Sequence, residues 1–159
     1  MKYVLCIVFM FSFYFQAIAQ KNNGTLLVKR FFKEVYNLKT SPETVVSKYI
    51  VYGDTAFYRQ AVNNIKYLRF PTEEGKDSHF SLLKGNIASG SFSIQSYCSL
   101  DSIDKGKFSL LSIDERKNVY KLNFTNTIPV YVLLRNRKVV SFFGYQKLGD
   151  DNYTFIVYE

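Results

Sequence analysis

The sequence predicts an α+β fold, with N-terminal helices packed on a curved, mainly antiparallel β-sheet. Two observations predict it. Val119 to Tyr158 reads as four consecutive strands rich in Val, Ile, Tyr, Phe and Thr, residue types that suit a pleated, half-buried surface. Upstream, residues 25–68 carry three amphipathic stripes at helical spacing,. No repeat, low-complexity tract or shift in composition divides the chain, so residues 20–159 are expected to fold as a single domain around one core.

Residues 1–19 read as a signal peptide. Lys2 supplies the positive start, Val4 to Phe15 is almost unbroken apolar sequence, and Ala17-Ile18-Ala19 fits a small-residue cleavage site before Gln20,. The run is short for a spanning helix, which needs about 20 apolar residues. Cys6 follows Leu5 and makes a poor lipidation site. The expected product is exported, periplasmic or secreted, with no membrane span after cleavage.

The first helix is predicted over residues 25–38. Leu27, Phe31, Val35 and Leu38 share a face, with Lys29, Lys33 and Glu34 on the wet side,. Ser41-Pro42-Glu43 opens a second: a capping Ser, Pro in the first turn and an acid at the positive end of the helix dipole,. Val45, Val46, Tyr49 and Ile50 give its apolar side, and Gly53 is expected to end it. Asp54 caps a third, with Phe57, Ala61, Ile65 and Leu68 in one stripe ahead of Pro71,.

The middle is less regular. Thr72 to Asp77 is polar loop, and His79 to Ile87 reads as a short helical turn or strand. Ser91–Leu100 and Phe108–Ile113 are expected strands, joined by a turn at Asp101–Gly106,. Asp101 and Asp104 read as turn residues, since they lack the ligand count of a calcium loop. Asp114 to Lys117 is an expected solvated turn.

Four strands follow, at Val119–Thr125, Ile128–Arg135, Lys138–Tyr145 and Tyr153–Tyr158. Tyr120, Leu122 and Phe124 alternate with Lys121, Asn123 and Thr125 in the first,. Arg135-Asn136-Arg137-Lys138 makes a tight hairpin between the second and third,. Gly149 to Asn152 is the next turn. Strands two to four are apolar on both faces. Helices over residues 25–68 can cover only one. Tyr131, Leu133, Val140, Phe142, Ile156 and Tyr158 alternate onto the other. That face needs a second layer, a ligand or a second subunit. The six residues are therefore candidate interface residues for a homodimer or another protein partner through the sheet.

Composition narrows the chemistry. The net charge is +8, but the basic residues are scattered, which argues against nucleic acid as a partner. Cys98 is the lone cysteine after cleavage, so no intrachain disulfide forms; it is expected to be a small buried apolar residue,. His79 is the only histidine. Paired with Cys98 it could nominally be a base beside a nucleophile, yet no orienting group is visible, so no catalytic residue is assigned. One His and one Cys give no transition-metal ligand set, and no cofactor motif is present. Aromatic residues make up 18% of the chain, with no Trp. They read first as core, and second as the walls of a pocket for a small apolar ligand between helices and sheet. Three N-glycosylation acceptors, at Asn23, Asn123 and Asn152, matter only in a eukaryotic secretory route. The short signal segment and lack of disulfides favour a bacterial envelope.

Phe31-Phe32 in the first helix, Ser41-Pro42-Glu43 opening the second, and the hairpin from Val130–Arg135 to Lys138–Val140 form a pattern that resembles the NTF2-like superfamily, as found in small exported bacterial proteins. The resemblance covers most of residues 25–158 and is one of pattern. It implies a cone-shaped α+β fold with helices on the concave face, often a dimer through the sheet. The acid and His arrangements of enzymatic members have no counterpart here. The expected function is a non-enzymatic binding or interaction module. A small secreted enzyme with an NTF2-like pocket and an exported immunity or inhibitor protein are the alternatives.

Overall fold

The structure is a computed structural model and describes residues 23–70 and 79–159. The expected signal peptide, residues 1–19, and the expected Thr72–Asp77 loop lie outside the described residues.

Four helices come first. In α1, residues 23–36 are helical. Val28, Phe31, Phe32 and Val35 are fully buried, while Leu38 lies past the helix and is exposed. Helix α2 spans Pro42–Tyr49, and its cap is as the sequence indicates: Ser41 Oγ accepts from the Thr44 N–H at 3.1 Å. It ends at Ile50 rather than Gly53, because the chain there turns extended and bridges Val139 in parallel. Helix α3 spans Thr55–Arg69, capped by Asp54 accepting from Ala56 and Phe57 at 2.8 and 3.0 Å. Helix α4 covers His79–Ser89. Gly90 follows with φ +76°, a left-handed closure that glycine adopts without strain,.

Four strands make one antiparallel sheet in chain order: β1 Phe92–Ser96, β2 Val119–Phe124, β3 Val130–Arg135 and β4 Lys138–Ser141. A separate two-stranded ribbon follows, β5 Gly144–Gln146 with β6 Tyr153–Phe155. The hairpin between β3 and β4 is as predicted. Asn136 and Arg137 have φ of 51° and 59°, the mirror-image turn whose twist matches that of the flanking strands,. The expected third strand, Lys138–Tyr145, is broken after Ser141. There the Ser141 hydroxyl donates to the Phe143 carbonyl at 2.7 Å and the chain bends into β5.

The sheet is covered on both faces by its own chain. One face, with Tyr120, Leu122, Val132, Leu134 and Val139, packs on α1 to α4. The other, with Val119, Tyr131, Leu133 and Val140, packs on Leu100, Phe108 and the β5–β6 ribbon. The second layer that the sequence required is thus intramolecular. Five of the six candidate interface residues are buried within the chain: Tyr131, Leu133, Val140, Phe142 and Tyr158. The sixth, Ile156, is 37% exposed. Phe142 and Tyr158 lie on the helix side, opposite to their expected face. Alternation holds only while a strand continues, and β4 ends at Ser141 and β6 at Phe155,.

The segment that supplies the cover differs most from expectation. Residues 97–99 form a 3-10 turn, α5 spans Ser102–Gly106 and α6 spans Ile113–Arg116. Phe108–Ile113 is not a strand. Its backbone closes successive turns, from Phe108 to Lys105, Ser109 to Gly106 and Leu111 to Phe108. The Asp114–Lys117 turn is mostly helix, started by Ser112 and Glu115 capping each other's backbone,. Cys98 is exposed, not buried: in its 3-10 turn it is Tyr97 that packs against the second core cluster.

Candidate functional site

The bend after β4 opens a cleft of about 460 Å3 between helices and sheet. Phe32 and Leu68 form its back from α1 and α3. His79, Phe80 and Leu83 line one wall from α4. Ile128 to Tyr131 and Phe142 to Gln146 line the other, with Tyr153 and Lys107 beside them. The bend depends on Gly144: a Cβ there would meet the Tyr153 ring at 2.4 Å and the Thr154 carbonyl at 2.5 Å. Glycine lets β5 lie close to β6 and keeps Tyr153 against the cleft. The volume falls in the range typical of small-molecule sites, about 300–1,000 Å3.

At one end of the cleft sits a charged cluster that the sequence did not reveal as one. Asp104 of α5 is 5% exposed. Its Oδ1 accepts from Lys107 Nζ at 2.7 Å and from the Tyr131 hydroxyl at 2.6 Å. Its Oδ2 accepts from Lys121 Nζ on β2. Lys107 Nζ also donates to the Tyr131 oxygen at 3.0 Å. Burial alone would push the Asp104 carboxyl up; the hydrogen bonds from Lys107, Lys121 and Tyr131 outweigh it and hold the pKa at about 2,. Tyr131 moves the other way, raised by burial and by donating a hydrogen bond to Asp104. A buried carboxylate is tolerated when partners satisfy both its oxygens, and here three do. Two ammonium groups pair with one carboxylate, and Asp101, whose charge also acts on Tyr131, caps α5 by accepting from the Asp104 N–H at 2.8 Å. Around it, Tyr131 meets Phe108 and Tyr153 edge-on, with ring centres 5.1 and 4.9 Å apart.

His79 does line the cleft. Its Nδ1 is 2.5 Å from Thr127 Oγ1, and burial lowers its pKa, so the ring is neutral at pH 7. Cys98 is not among the lining residues, nor is any Ser, Asp or Glu among the described residues. The nominal His79–Cys98 pair is therefore not assembled in the cleft. Among the described residues no group of three His, Cys, Asp or Glu side chains could hold a metal ion, and no helix is long and apolar enough to cross a membrane. A second groove of about 260 Å3 lies between α2 and α3, where Glu43 and Lys66 pair with each other at 3.4 Å.

Of the candidate interface residues, Tyr131 and Phe142 turn out to line the cleft. The residues missed were Asp104, Lys107 and Lys121. One signal was available: Lys121 stands directly across from Tyr131 in the β2–β3 register, next to the Val119–Leu133 pair of the second apolar layer. A lysine pointing into that layer requires a buried counter-charge.

These features define an α+β domain with a ligand-sized aromatic cleft. In comparisons with family models, curated proteins and solved structures, the chain matches none.

Proposed function

We propose that this chain is an exported binding module that holds a small, largely apolar ligand in the cleft between α4 and the β4–β5 bend. The observation that carries the reading is the 460 Å3 volume walled by Phe32, Phe80, Phe142, Phe143 and Tyr153. Core aromatics alone would close such a space, since protein interiors pack to the density of organic crystals. Apolar walls with few, placed polar groups are the usual composition of a small-molecule site. The order of helices followed by sheet supports the NTF2-like resemblance, and the cone of that superfamily belongs to the same proposal. Export rests on the signal-like residues 1–19; an intact mass corresponding to residues 20–159 in the exported protein is its check. A partner surface, on this reading, lies away from the sheet residues, because they are already buried.

The test is titration with a neutral apolar fluorophore, N-phenyl-1-naphthylamine, monitored by emission while circular dichroism reports the fold. Saturable one-to-one binding to the native protein is expected, weakened by Phe143→Asp at the half-buried rim. Emission that rises without saturation, or only when the native fold is lost, overturns the reading.

A further inference from the structure

We infer that the ligand of this cleft carries a carboxylate, and that Lys107 binds it. The inference rests on the binding-module reading and specifies its ligand class as an amphipathic organic acid with an aromatic or alkyl body. Among the described residues Lys107 is the one charged side chain lining the cleft. Its Nζ spends two of its three N–H donors, on Asp104 at 2.7 Å and on Tyr131 at 3.0 Å. The third has no partner among the described residues. The Lys107 side chain keeps 24% exposure, against 6% for Asp104, so Lys107 is the more accessible member of the pair.

Charge accounting gives the same answer. Lys121 also pairs with Asp104. One carboxylate therefore pairs with two ammonium groups, while Asp101, whose charge also reaches Tyr131, caps α5 at the Asp104 N–H and pairs with neither lysine. Among the described residues no Asp or Glu lines the cleft to meet the third N–H. Burial keeps three further groups on the cleft neutral at pH 7: His79 is lowered, and Tyr131 and Tyr153 are raised. A ligand carboxylate would complete the cluster, accept the third N–H, and leave its apolar body against Phe80, Phe142 and Phe143. The Asp104 oxygens are occupied by three donors, which screens the incoming acid from repulsion. A neutral head gains nothing from the Lys107 ammonium; a cationic one is repelled by it.

The experiment compares 4-phenylbutyrate with 4-phenylbutan-1-ol, which share a body and differ in the head, by calorimetric titration of the full mature chain. A charge-assisted hydrogen bond in a partly desolvated site favours the acid by about tenfold or more. Added salt should weaken the acid and leave the alcohol unchanged. Lys107→Met should abolish the preference while retaining alcohol binding, which also shows that the variant is folded. Lys107→Arg should restore it in part. The wild-type comparison and its salt dependence stand alone if Lys107→Met does not fold. Equal binding of acid and alcohol to the wild type overturns the carboxylate inference and leaves the apolar cleft in place. Binding of neither overturns both.

Discussion

Replacing Asp104 with Asn removes the charge that holds α5 to the sheet. The side chain is 5% exposed and accepts from two lysines and a tyrosine. Its folded-state pKa of about 2 lies below the ordinary value of 3.8. A carboxyl with a depressed folded pKa stabilises the fold fully above the unfolded value, and that stabilisation disappears as pH falls through the folded one. The window is therefore about pH 4 down to pH 2, and the shift corresponds to about 2 kcal/mol at pH 7. Removing one member of a buried ion cluster costs about 3–5 kcal/mol when the remaining charges stay buried. Lys107 and Lys121 keep 24% and 17% side-chain exposure and can regain some water, so the lower figure applies. Asp104→Asn should lower stability by about 2 kcal/mol at pH 7 and by about half that at pH 3, where the wild type has itself begun to lose the interaction. Urea unfolding followed by circular dichroism measures both, with a midpoint shift of about 1 M at neutral pH for ordinary m-values. Glu43 and Glu115 also have lowered pKa values, from hydrogen bonds to Glu43's own backbone and to Ser112 respectively, but they contribute the same slope to both proteins. A deficit under about 0.5 kcal/mol at pH 7, or one that is unchanged at pH 3, would refute the argument.

Phe142→Glu should unfold the chain rather than merely weaken an association. The ring is 3% exposed and packs against Phe31 at 5.1 Å and Tyr158 at 5.7 Å. Losing it and burying a carboxylate costs about 4 kcal/mol or more; a thermal midpoint close to the wild type would contradict this. Arg137→Gly should raise stability by about 0.5–1 kcal/mol, because Arg137 sits at φ 59° in the β3–β4 turn, where a Cβ is strained,. An unchanged or lower urea midpoint would show that the turn relaxes without cost.

The features legible in the sequence share one property: their causes are local. Ser41 and Asp54 cap their own helices two or three residues on, and Arg135 to Lys138 builds its own hairpin. Tyr120, Leu122 and Phe124 share a face because a strand's period is two,. The reading fails where a strand stops: Phe142 and Tyr158 follow strand ends, so counting by alternation puts both on the wrong side. Phe108–Ile113 looks like a strand by composition, yet Ser112 and Glu115 favour a capped helical start, and the apolar Leu110 and Ile113 are left exposed.

By itself, then, the chain determined helices followed by an antiparallel sheet, their caps, and a sheet apolar on both faces that had to be covered. Only the tertiary structure decided what covers the second face. The Asp104 cluster joins α5 to strand residues seventeen and twenty-seven positions away. The cleft forms where α4, the β4–β5 bend and β6 converge. Neither has a local signature, since each depends on which distant segments meet, and the whole chain's packing settles that.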